Sequence, residues 1–122
     1  MAWEIPGHSW SRPAGADLSA KSDRFVNLNS DGEAVLPAAG GDIVGVCRQG
    51  AEENRAVAIV SDGEVRVLCG GTIANNAYVT TDTDGRAVTA TTGDLVHGRA
   101  LAAGVNNQYI TVQLRQLTAE SA

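Results

Sequence analysis

From Arg24 onward the chain alternates short apolar runs with clusters of Gly, Asp and Asn, and no run repeats at helical spacing. The segments RFVNL and EAVLP flank residues 29–32, with Asp31-Gly32 as the turn signal between two strands. IVGVC (residues 43–47) follows the Gly40-Gly41 break, and YVTTDT and RAVTA flank Asp84-Gly85. Gly93-Asp94 precedes the run from Leu95 to Leu101. In the closing segment Ile110, Val112 and Leu114 point one way and Tyr109, Thr111 and Gln113 the other, the period of a half-buried strand. About eight short strands at such spacing predict an all-β barrel or sandwich. Helix is expected to be scarce, with a single turn near residues 72–76 that Thr72 would cap.

The strongest hairpin signal is RAVAIVS, Asp62-Gly63, EVRVLC. Asp-Gly between β-rich runs favours a two-residue type I′ turn, in which both central residues take positive φ. That register sets Val60 against Val65, Ala58 against Val67 and Ala56 against Cys69, an apolar face for the core. The opposite face is polar beside the turn (Ser61, Glu64) and apolar further away, at Val57, Ile59 and Leu68. One-sided burial does not require that second apolar patch. Either a second layer of the same domain or a neighbouring subunit must cover it, and Val57, Ile59 and Leu68 are therefore candidates for a subunit interface.

Residues 1–20 differ from the remainder. Trp3 and Trp10 lie here with Pro6, Pro13, Gly7 and His8, and the segment neither alternates nor shows helical periodicity, so it reads as an extended arm. Each tryptophan buries on the order of 150–250 Å² when it packs. Trp3, Ile5 and Trp10 are accordingly expected to anchor the arm on another surface, with packing back on its own domain as the alternative. The domain division that follows is an arm at 1–20, a β-rich domain at 21–117 and a short tail at 118–122.

Composition narrows the function classes. The 122 residues suit one domain, and only two Trp, two Tyr and one Phe are aromatic. A net charge of −5 disfavours a nucleic-acid partner bound through its phosphates, which requires a basic face. No apolar run approaches the ~20 residues of a membrane span, and MAWEIPGHSW lacks the features of a secretory signal, so synthesis in the cytoplasm is the expectation. Cys47 and Cys69 fit no metal spacing and read as buried, reduced small apolar residues. His97 sits alone in an apolar run and reads as a hydrogen-bonded structural residue. No metal or cofactor set is apparent, no G-x-S-x-G frames a serine, and the Gly pairs lack the Lys-Ser/Thr of a phosphate loop. No catalytic residue is assigned, and an enzyme is not expected. AGADLSA (residues 14–20) looks like the first motif of trimeric dUTP pyrophosphatases, but the further motifs of those enzymes are not found.

The same segment fits a different family through its neighbours. Asp17-Leu18-Ser19-Ala20, then Arg24-Phe25-Val26, an IVGV strand (residues 43–46), the segment from Thr72 to Val88, GRALAA (residues 98–103) and a final I-x-V-x-L strand follow one another in order. This order resembles the small head-decoration (capsid cement) proteins of tailed bacteriophages, over about a hundred residues from Ala14 to Leu114. The resemblance implies a structural virion protein on the outer surface of the expanded head. Its implied partners are the major capsid protein and further copies of itself, commonly as a homotrimer, and reinforcement would come from many modest contacts acting together. A tail or baseplate β-module, or a surface ligand-binding β-domain, is the alternative.

Overall fold

The computed structural model describes Ile5–Pro6 and residues 9–117, with side-chain surroundings from residue 9 to residue 114. Eleven strands are present among the described residues: β1 (Ile5–Pro6), β2 (Ser9–Pro13), β3 (Arg24–Leu28), β4 (Ala34–Val35), β5 (Gly45–Gln49), β6 (Ala56–Val60), β7 (Gly63–Leu68), β8 (Tyr78–Thr81), β9 (Ala87–Thr89), β10 (Val96–Ala100) and β11 (Tyr109–Leu117). They form two antiparallel sheets, one ordered β1-β7-β11-β10-β8-β9 and the other β2-β6-β5-β3-β4. The all-β sandwich expected from the pattern is the fold observed. Two of its strands, β1 and β2, come from the segment read as an arm.

The turns at Asp31-Gly32 and Asp84-Gly85 join paired strands as expected: β3 with β4 and β8 with β9. The turn at Asp62-Gly63 does not. β6 and β7 lie in different sheets, and the predicted pairing of Val60 with Val65 is absent. Gly63 has φ +93, but Asp62 does not share the positive φ that a type I′ turn needs. The chain crosses between layers here because each strand finds a better-matched partner elsewhere. β6 pairs with β5 and β2, while β7 pairs with β11 from Tyr109↔Leu68 to Leu114↔Gly63. The helical turn expected at residues 72–76 is also not formed. Ile73 bridges to Gly104, and Asn76 has φ +70, outside the helical region.

Two apolar clusters divide the interior. The larger lies between the sheets and includes Phe25, Val46 and Val60 from one layer and Val65, Val67, Ile110 and Val112 from the other. The smaller covers the far face of the five-stranded sheet and holds Ala14, Leu18, Val26, Ala34, Cys47, Val57 and Ile59. β6 therefore sends Val60 to one core and Val57 and Ile59 to the other, which explains apolar residues on both of its faces.

The second core is closed by AGADLSA. Ala14 N donates to Arg55 O at 2.8 Å, Gly15 N to Ala34 O at 2.8 Å, and Leu18 N to Ala51 O at 2.8 Å. Asp17 Oδ1 accepts from the backbone N and the Oγ of Ser19, fixing the local turn. These residues thus lay an irregular cover across the outside of the sheet.

Candidate interaction surfaces

The segment carrying two of the sequence-predicted anchor residues pairs with the domain itself. Ile5 is paired with Glu64 at the edge of the six-stranded sheet, and β2 runs along β6 from Ser9↔Val60 to Pro13↔Ala56 at the edge of the other. Trp10 is half-buried against the second core, opposite Ile59 in the register, with the Arg12 guanidinium 4.9 Å from its ring centre. Trp3 lies outside the described residues. Residues 5–6 and 9–13 are therefore integral strands, so of the two placements open to the extended arm these residues take the one on their own domain. The physical reason is that unpaired edges of β6 and β7 offer backbone groups, and an extended segment satisfies both.

The proposed subunit face is likewise internal. Val57 and Ile59 are fully buried and Leu68 nearly so, all within one chain. Of the two coverings left open by the sequence, a second layer is present over Val57 and Ile59, which join the second core, while Leu68 lies apart from them on β7 in the other sheet. This corrects the assignment of Val57, Ile59 and Leu68 to an interface between copies.

The ionisable groups form structural sets. Asp84 accepts from Lys21 Nζ at 2.7 Å and from Arg24 Nη1 at 2.8 Å, and these contacts hold its carboxyl below the ordinary range. Asp82 Oδ1 accepts from the backbone N of Asp84 and Arg86, while its Oδ2 pairs with Arg86 Nε at 3.0 Å. This network fastens the β8–β9 turn onto β3, where Phe25 N donates to Gly85 O at 2.7 Å. Gly85 has φ +77, and a Cβ there would lie 2.6 Å from Phe25 O, so glycine is required for the approach.

His97 is buried between the layers, 5.7 Å from the Phe25 ring, with Nε2 2.6 Å from Gly41 O. The neutral tautomer protonated at Nε2 fits that acceptor, and burial lowers the imidazole pKa. Cys47 and Cys69 are free, fully buried thiols. Burial pushes the Cys47 pKa up to about 11 and raises that of Cys69. Among the described residues no three His, Cys, Asp or Glu side chains gather as a metal set. An open hollow of about 480 Å³ is lined by Ser19, Gly50, Ala51, Glu52 and Arg55.

A surface feature that sequence reasoning missed lies at one end of the six-stranded sheet. Asn75-Asn76-x-Tyr78 and Asn106-Asn107-x-Tyr109 repeat one motif, and the repeat is structural. Asn76 and Asn107 take φ +70 and +67, and the two loops cross at reciprocal bonds between Ile73 and Gly104 of 2.8 and 3.0 Å. Asn76 N donates to Ala100 O at 2.8 Å, and Asn107 N to Cys69 O at 2.9 Å, as a local two-fold relation demands. Each Tyr then stands on the outer face of the sheet beside an arginine from the strand it pairs with. Arg99 lies 5.4 Å from the Tyr78 ring and Arg66 5.1 Å from the Tyr109 ring. Leu101 and Val105 are exposed in the same loops. The repeated Asn-Asn-x-Tyr was the available signal, though only the observed loop crossing brings its two copies together.

No protein-family model matches the sequence, and no curated protein matches it. Among solved structures, the fold is similar to that of the head fiber gp8.5 N base in bacteriophage phi29, with a TM-score of 0.71 and 19% sequence identity. The alignment covers 90% of this chain and 97% of that chain. At that identity the likeness is one of fold, shared over most of this chain and nearly all of that one.

Proposed function

We propose that this chain is a structural virion protein that attaches to the outer surface of the expanded phage head and reinforces it. The observation that carries this reading is the fold, shared over nearly the whole of both chains with a base that belongs to a phage head appendage. The motif order of the sequence, which resembles that of the head-decoration proteins, supports the same location. The described surface is consistent with it: Lys21, Arg24 and Arg86 with Asp82 and Asp84 fasten turns and sheets together, and an exposed Tyr–Arg face is of the composition that protein contacts favour. On this reading the partners are the major capsid protein and neighbouring copies, with a trimer as the expected grouping. Reinforcement would follow from multivalency, since many copies each bridging shell subunits sum to a large resistance to opening.

The test is co-sedimentation of purified protein with expanded heads that lack it, beside unexpanded procapsids. Saturable binding to expanded heads, with improved survival of those heads on heating, is the expected result. Binding to neither particle would overturn the proposal and move a tail module or a ligand-binding domain ahead of it.

A further inference from the structure

Among the described residues the large apolar side chains left exposed are four, and all four belong to the crossed-loop end: Tyr78 at 40%, Leu101 at 37%, Val105 at 49% and Tyr109 at 49%. Scattered singly such residues need no explanation, but their confinement to one repeated element marks a contact surface. The two tyrosines offer wide apolar area at small entropic loss, and tyrosine with arginine is the pairing enriched at the energetic centres of interfaces.

Charge identifies the partner's chemistry. Arg66 is matched by the buried Asp23 carboxylate at 3.3 Å. Arg99 has no such counter-ion among the described residues; it touches Tyr78 Oη at 3.5 Å, and its Nε is buried without an acceptor. Glu64 shares the face only from two strands away, across Gln113. A chain of net charge −5 thus keeps a guanidinium without a carboxylate partner at its exposed apolar patch. A second copy meeting this patch with its own would set Arg99 against like charge, which is unfavourable.

We infer that the Tyr78–Arg99 and Tyr109–Arg66 face docks onto a carboxylate-bearing protein surface, which on the virion reading above, on which this inference rests, is the outer surface of the head shell. The tyrosines and Leu101 supply the desolvated centre. Arg99 takes a carboxylate of the shell, and the Asn-Asn loops form the polar rim.

The experiment compares the whole chain with Arg99→Glu and Tyr109→Ser, both on the exposed face, in co-sedimentation with expanded heads at low and high salt. Circular dichroism and the oligomeric state of each free protein are recorded alongside. The expected result is wild-type binding that weakens with salt, and a loss of roughly tenfold or more in each folded variant. Arg99→Lys should recover only part of the loss, because lysine keeps the charge but not the planar stack. Undiminished binding of both substituted proteins, with wild type bound, would overturn this docking face and leave the virion reading standing. A change in oligomeric state with head binding intact would assign the face to contacts between copies and overturn it equally. Failure of the wild type itself would remove the virion reading and this inference together.

Discussion

At the residue scale, burial converts a common side chain into a pH-sensitive one. His97 holds Gly41 through Nε2 in a site where charge is penalised, so its folded-state pKa is depressed below the ordinary 6.5. The folded protein then binds fewer protons than the unfolded chain, and stability is complete above pH 6.5 and declines as pH falls through the interval between the two values. Thermal midpoints measured from pH 8 down to pH 5 should fall in the wild type and change less in His97→Gln, which keeps an N–H donor toward Gly41. The lone histidine was legible in sequence as structural, because no companion ligands accompany it. Its acceptor was not, since Gly41 is brought over by the Gly40-Gly41 turn from a distant part of the chain. Ile110, Val112 and Leu114 were legible for the opposite reason: alternation states this buried face without reference to any partner, although Thr111, expected on the outward face with Tyr109 and Gln113, is buried as well.

At the scale of elements, misreading arose where local turn chemistry competed with long-range pairing. Asp62-Gly63 has the composition of a hairpin turn, and Asp84-Gly85 in fact makes one. The difference lies in the partners available to β6 and β7, which reside in β2, β5 and β11 and are invisible from the turn. The apolar residues on both faces of β6 were the clue, and they correctly demanded a second covering layer. An Ile59→Asp change is therefore expected to prevent folding, costing more than about 4 kcal/mol because it buries an unpaired charge. A folded monomer with native circular dichroism would contradict the internal placement of that face. Removal of residues 1–13 takes away β1 and β2 and uncovers the flank of the second core. The truncated chain should melt lower, by roughly 4 °C for each kcal/mol of lost stability, before any effect on binding is considered.

For the whole molecule, the two layers are fastened at their meeting points by polar devices rather than by more core. Lys21 and Arg24 hold Asp84 across the gap between sheets, and Arg66 reaches Asp23 from the other sheet. The Asp84 carboxyl, being depressed in pKa, contributes above its ordinary value of 3.8 and loses that contribution as pH falls through the folded value. Acid should thus act in two stages, first through His97 and then through Asp84. Asp84→Asn should diminish the second stage while leaving the first, as read by equilibrium unfolding at a series of pH values. The overall architecture, two packed sheets without helix among the described residues, was legible from composition and turn spacing. The exposed Tyr–Arg face was not, because a repeat of four common residues gains meaning only when two loops cross.

The pairing of β1 with β7 and of β2 with β6 has a kinetic consequence. β1 and β2 find their partners only across more than forty intervening residues, so their contacts are among the longest-range in the described structure. Closure of such contacts is slow relative to local hairpins. Until it happens β6 and β7 each keep a bare edge, the kind of edge that recruits strands from other chains. The folding chain therefore passes through a stage in which these edges are open to its neighbours, and docking of β1 and β2 closes that seam.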